Sequence, residues 1–403
     1  MPERKNPVLR PPPLYDKGIY MDTLVLADTF APGEAHFDEC LAEWPRDRRE
    51  ALAASITERD VRAALEKDVL RPEDFMALLS PVAAPFLEDM AQKSREITLR
   101  FFGRAVNLFS PLYISDICTN HCRYCGFNAD NHQKRRHLTV DEAAAEAFAL
   151  ADAGIRHILL LTGDARHIAS PRYIADVAER IKPRFASVGV EVYSLTLEEY
   201  RMLIQSGVDS MTMFQETYNR ELYEWLHPAG PKHDFLWRLN TPARAAKAGM
   251  HSVGIGALIG LDEFIHDAFC TGLHAWWLQK HFPGVDIGLS VPRMCPHEGS
   301  FEVTHGVGDR QFVQYITALR CFLPRCGITV SSRESADMRN HIVPIGVTRV
   351  SAGVSTAVGG RVVEAENSGQ FDISDHRSVQ EMTRDLAAIG YQAVAKDWED
   401  CDG

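Results

Sequence analysis

Nowhere in its 403 residues does the chain have a run of about 18 uncharged apolar residues, the length a membrane-spanning helix needs. Residues 1–13 are charged and proline-rich and lack the apolar centre of a secretory leader. Basic charge is also in deficit, with 43 Lys and Arg against 55 Asp and Glu and a formal net charge of −12. That balance disfavours a general binder of polyanions. A cytoplasmic chain is therefore expected, with neither nucleic acid nor a membrane as its partner.

Cysteine is sparse and odd in number. Nine in a chain of this size do not make the dense framework of a small secreted scaffold, so reduced thiols are expected. Six of them, Cys40, Cys270, Cys295, Cys321, Cys326 and Cys401, are well separated, and the other three crowd into eight residues from Cys118 to Cys125.

What is present reads in sequence as successive textures. Residues 1–47 mix proline, charge and a few aromatics with no period, which suggests an extended or partly disordered arm. Residues 48–104 carry apolar side chains at helical spacing, Val61, Leu65 and Val69 and then Phe75, Leu78 and Leu79, with Pro72 and Pro81 as punctuation. A small helical cap is expected there. From residue 105 to about 360, short apolar or β-branched runs alternate with amphipathic stretches, and a C-terminal segment, 361–403, is expected to pack on that body. Candidate strands fall at 107–115, 157–161, 191–195, 210–215, 252–258, 286–291, 328–332 and 347–351. Helices between them include 139–152, where Thr139 and Glu142 have capping-box spacing, and 309–322. Eight strand-then-helix units in about 250 residues favour an α/β fold of the (β/α)8 TIM-barrel type, whose sites lie at the C-terminal ends of the strands.

The first strand leads into Cys118, Cys122 and Cys125, spaced C-x3-C-x2-C. Three thiolates on one loop suit a [4Fe–4S] cluster that keeps one iron without a protein ligand, and so keeps a coordination position for a small molecule. The same residues also suit a structural zinc with His121, His132 or His137 as fourth ligand, or three buried thiols that bind nothing. A second zinc knuckle is not visible in the sequence.

This motif resembles the signature of the radical S-adenosylmethionine (SAM) superfamily. Cys125-Gly126-Phe127 and the segments 76–81, 214–218, 235–242, 256–260, 332–335 and 396–398 are similar to the ThiH family, the tyrosine lyases or 2-iminoacetate synthases of thiamine thiazole formation. The likeness runs roughly from residue 71 to 398. It implies that SAM chelates the open iron and is cleaved by the reduced cluster to a 5′-deoxyadenosyl radical. That radical would take a hydrogen from the amine of L-tyrosine, with Cα–Cβ cleavage to 2-iminoacetate and p-cresol. A thiazole synthase and a flavodoxin-type electron donor are the partners implied.

The resemblance also assigns residues. Thr162, Gly163 and Asp164, after the second strand, match the short motif near SAM's amino group, although the family usually has Glu at the place of Asp164. Gln215 and Glu216, ending the fourth strand, and Gly256, in the fifth, fall in the cofactor-contact region. Arg333 matches the anchor for the amino-acid carboxylate, Ser351 a hydroxyl beside it, and Tyr113 a tyrosine near the substrate amine. Arg293, His297 and Glu298 are candidates for the phenol proton. Pro292-Arg293-Met294-Cys295-Pro296 departs from the family's Pro-Arg-x-Arg-Pro by placing a thiol where a cation is usual. Rival readings are a tryptophan lyase, a noncatalytic zinc-stabilised barrel, and the tyrosine lyase of hydrogenase maturation. The last carries a second cluster on C-terminal cysteines, whereas this chain has only Cys401 after Cys326.

Overall fold

A computed structural model describes residues 36–294, 301–364 and 369–395. Eight parallel strands close into a barrel: β1 (Ala105–Ser115), β2 (His157–Thr162), β3 (Ser187–Glu191), β4 (Ser210–Glu216), β5 (Ser252–Ala257), β6 (Asp286–Ser290), β7 (Gly327–Val330) and β8 (Arg349–Ser351). Each pairs with the next, and β1 closes the ring on both β8 and β2. This is the (β/α)8 barrel expected from the alternation of textures, with helices between the strands. A ninth strand, Gln392–Val394, pairs parallel with β1 at Ala105–Asn107. Three residues are too few to show a period, so it was not foreseen.

Local chemistry explains the helix starts. The Thr139 hydroxyl accepts from the Glu142 N–H at 3.2 Å while the Glu142 carboxylate accepts from the Thr139 N–H at 2.8 Å, and the helix Val140–Asp152 begins there. Thr196 with Glu199 and Ser378 with Glu381 repeat the device.

Three expectations need correction. β3 was placed at 191–195 and runs four residues earlier, because Gly189 interrupts the apolar pattern although it pairs with Leu159 on one side and Ser210 on the other. The shift moves Glu191 to the C-terminal end of its strand. Val69, expected to continue the helical spacing of Val61 and Leu65, is 83% exposed. The helix Glu58–Glu66 has ended before it, Pro72 opens the next helix at its first turn, and Leu70 takes the buried place. Residues 36–47, read as the end of an extended arm, hold the helix Phe37–Ala42, whose Phe37 ring is buried and stacks on His274 at 3.9 Å. One large aromatic with a preformed slot outweighs the lack of a period.

The cap helices pack on the barrel's outer helices. The Gln314 amide donates to the carbonyls of Leu78 and Ser80 at 2.8 and 2.9 Å. Phe75 lies against Phe269 and Phe322 and against the bare backbone of Gly272 in the helix Phe264–His281. A Cβ at Gly272 would sit 2.3 Å from the Phe75 ring. No helix among the described residues is long and apolar enough to cross a membrane.

Gly272→Ala should therefore destabilise the fold by about 1–3 kcal/mol despite alanine's better helix propensity, because overpacking a rigid core dominates. Pairing it with Phe75→Leu should recover part of the loss in urea unfolding. Equal or raised stability of the single variant would contradict this packing.

Candidate active site

The cysteine loop is fixed by hydrogen bonds to three neighbouring segments. On its own side, the Arg135 guanidinium donates to the Asp116 carbonyl at 3.0 Å and to the Asn128 carbonyl at 2.6 Å. From the β2 side, the Asp164 carbonyl accepts from the Thr119 N–H at 2.9 Å and its carboxylate accepts from the Asn120 amide at 2.9 Å. From the β4 side, the Lys232 N–H donates to the Asn120 side-chain oxygen at 2.8 Å, and the N–H groups of His121 and Arg123 donate to the carbonyls of Ala229 and Leu226. Gly163 is where the β2 segment touches the loop. A Cβ there would lie 2.3 Å from the Ile117 carbonyl oxygen, so the glycine is required by close backbone approach.

Cys118, Cys122 and Cys125 are not disulfide-bonded and lie within electrostatic reach of one another. Burial first, then Asp164 and Cys125, pushes the Cys118 thiol up to about 11, and burial raises Cys122 further. Thiols that repel one another's charge suit a positive inorganic centre, which deprotonates its ligands outright. Among the described residues no three His, Cys, Asp or Glu side chains surround a single-ion position. Three cysteine thiolates on one loop are the donor set of a [4Fe–4S] cluster that keeps one iron without a protein ligand, so the chemistry of these residues fits that group. Next to the loop, the Thr162 hydroxyl and the second Asp164 carboxylate oxygen are buried without a partner among the described residues, a cost that a polar ligand would remove.

A cavity of about 660 Å³ occupies the barrel interior and its mouth, within the size range of small-molecule sites. Its walls bring together Tyr113, Cys125, Glu216, Arg333 and Ser351 from the sequence expectations. The Tyr113 hydroxyl donates to the Gln370 side-chain oxygen at 2.8 Å, and burial holds its pKa well above the usual phenol range, so it stays a proton donor. Ser351 accepts from the Ser332 N–H at 2.9 Å, which leaves its own proton to give. The Arg333 guanidinium lies over the Phe371 ring, 3.4 Å from its centroid.

Glu216 has φ of +71°, the left-handed region that an L side chain seldom adopts, at a register shift in β4. Its carboxylate accepts from Lys232 at 2.6 Å and from Arg238 at 3.3 Å. Burial opposes its ionisation, but Lys232 and Arg238 together outweigh that and hold its carboxyl below the usual range.

Other expected residues are placed differently. Gln215 is buried but does not line the cavity, because strand alternation turns it away from its neighbours Phe214 and Glu216. Gly256 faces protein: a Cβ there would be 2.4 Å from the Ser290 carbonyl oxygen and 2.9 Å from the Phe214 ring, so strand packing accounts for it. Arg293 is committed to Glu334 and Asp309 and does not line the cavity. Cys295, His297, Glu298 and the segment 396–398 lie outside the described residues. Sequence reading missed Glu191, Lys232, Arg238, Gln370 and Phe371 as parts of the site. The displaced β3 hid Glu191, Arg238 lies in the segment 235–242 but was given no role there, and Lys232, Gln370 and Phe371 are single residues with no motif of their own.

A closed parallel barrel with three thiols on the loop after β1 and a cavity that gathers charged side chains at the strand ends defines the radical SAM class. Residues 112–268 match the Radical SAM superfamily and 290–392 the Biotin and Thiamin Synthesis associated domain. The chain is 37% identical over 344 residues to the 2-iminoacetate synthase of Escherichia coli (strain K12), covering 85% of this chain and 91% of that one, and equally to that of Salmonella typhimurium (strain LT2). A crystal structure of HydG, a maturase of the [FeFe]-hydrogenase, superposes with a TM-score of 0.82 at 31% identity, covering 87% of this chain and 80% of that one. The chain belongs to the ThiH family of radical SAM enzymes. It is a radical SAM lyase whose cofactors are a [4Fe–4S] cluster and SAM, and the reading as a noncatalytic zinc barrel is set aside.

Gly163→Ala should push the cysteine loop away from β2 and lower the iron bound per chain after anaerobic reconstitution to less than about half of the unsubstituted level, with the unfolding transition retained. Full iron content in the variant would contradict the role given to this contact.

Proposed function

We propose that the chain cleaves the Cα–Cβ bond of L-tyrosine to 2-iminoacetate (dehydroglycine) and p-cresol, for thiamine thiazole biosynthesis. The observation that carries this reading is one cavity wall on which Tyr113, Arg333 and Ser351 meet beside Cys125. The similarity to two 2-iminoacetate synthases supports the same product.

When bound, the reduced cluster and SAM supply the hydrogen-abstracting radical. The chain's own residues do the rest. Arg333 takes the substrate carboxylate in a two-pronged pair, which offsets the lost hydration of that group, and its stacking on Phe371 limits where the guanidinium can go. Ser351 adds a hydroxyl donor to the same carboxylate. Tyr113, steadied by Gln370, stands beside the amine, and Gln370 also approaches the Cys125 sulfur at 3.7 Å. The amine is thus held on the cluster side and the ring is directed down the cavity, away from the site of abstraction. Thr162, Gly163 and Asp164 would hold the amino-acid end of SAM, and Glu216 would lie in the cofactor-contact region. A thiazole synthase would consume the imine before it hydrolyses, and a flavodoxin-type donor would reduce the cluster.

Anaerobic incubation with SAM, a reductant and tyrosine should release deoxyadenosine, p-cresol and glyoxylate from hydrolysed imine. Arg333→Ala should lower kcat/KM for tyrosine by about 100-fold, with Arg333→Lys between the two, because two charge-assisted hydrogen bonds are lost or reduced. Indole derivatives from tryptophan with no cresol from tyrosine would overturn the substrate assignment.

A further inference from the structure

The mouth of the cavity holds two glutamates in different electrostatic states. Glu216 is paired with Lys232 and Arg238. Glu191, at the end of β3, makes no side-chain hydrogen bond or ion pair among the described residues, and the surface it keeps lines the cavity. The sheet register links it to Tyr113 two strands away: Tyr113 pairs with Leu161 of β2, and Leu161 pairs with Glu191. All three side chains point inward. Glu191 is thus an uncommitted carboxylate within electrostatic reach of both Tyr113 and Arg333.

Resting on the tyrosine-lyase reading above, we infer that Glu191 receives the α-ammonium of the substrate, forming the acidic half of an amino-acid clamp whose basic half is Arg333. An α-amino acid enters as a zwitterion, and each of its charges loses water in this cavity. Arg333 answers the carboxylate. The hydroxyl of Tyr113 answers no positive charge, and Glu216 is already neutralised. Glu191 is the group left to balance the ammonium, and its place beside Tyr113 turns the nitrogen toward the cluster side, where hydrogen is removed.

The surroundings agree with this role. Burial first, and then Glu216, raises the Glu191 carboxyl to about 7, while Arg333, Arg238 and Lys232 pull the other way. With no ligand its charge is therefore incompletely formed at neutral pH, and an arriving ammonium completes it. Because the carboxylate is the binding form, substrate affinity should rise as pH passes upward through about 7, the direction opposite to one set by loss of a substrate proton.

The test uses full-length, cluster-loaded protein with SAM and no reductant, and measures binding of tyrosine and of 3-(4-hydroxyphenyl)propanoate, which lacks the amine, by calorimetry between pH 6 and 8. Unsubstituted protein should bind tyrosine about 10- to 100-fold more tightly than the amine-free acid. Glu191→Gln should erase that preference and flatten the pH profile while binding the amine-free acid as before, and Glu191→Asp should restore part of it. Under turnover, KM should carry more of the Glu191→Gln defect than kcat. A Glu191→Gln protein that binds the amine-free acid normally and still prefers tyrosine overturns the clamp alone. Unsubstituted protein that binds neither tyrosine nor tryptophan overturns the functional reading and the clamp with it.

Discussion

Everything catalytic in this barrel depends on how tightly the loop after β1 is held. Its three thiols come from eight consecutive residues, but their arrangement is imposed from outside, by the backbone of the β2 segment at Asp164 and by the segment from Leu226 to Lys232 beyond β4. Neither contact leaves room for variation, because one side requires glycine at 163 and the other uses a side-chain oxygen of Asn120 that is already bonded. The loop is therefore a shared element of three strand ends, and the first ligand shell of the cluster is positioned by the closure of the barrel itself.

The charges at the mouth follow a similar logic. Two glutamates and three cations, Lys232, Arg238 and Arg333, stand in a low-dielectric space, where an unbalanced charge is expensive. The chain satisfies Glu216 internally and accepts a left-handed backbone at that residue to do so. Glu191 and Arg333 both face the cavity. A zwitterionic ligand would bring an opposite charge to each of them.

Much of this was legible in sequence where the signal is local. The cysteine spacing is local, and so is the Thr139–Glu142 capping box that places a helix start to the residue. The alternation of strand and helix textures revealed the barrel because each unit repeats the same amphipathic demand. Reading failed where the controlling partner is distant. Val69 keeps the spacing of Val61 and Leu65 although their helix ends at Glu66, and Gly189 hid a strand that its neighbours Leu159 and Ser210 complete. Gln370 meets Tyr113 across 257 residues, and Phe371 meets Arg333 on the far side of β8, pairings that no window along one chain can register. Arg293 looked like a site cation and is bound instead by Glu334, a residue next to the arginine that does face the cavity.

The central claim is that an iron with no protein ligand faces this cavity. Electron paramagnetic resonance and nuclear double resonance of the anaerobically reduced protein, with SAM carrying nitrogen-15 in its amino group, address it directly. The account predicts about four iron and four sulfide per chain, a reduced-cluster spectrum that changes on adding SAM, and resolved coupling to the labelled nitrogen. A cluster whose spectrum is indifferent to SAM, or a single colourless metal ion per chain, would contradict it.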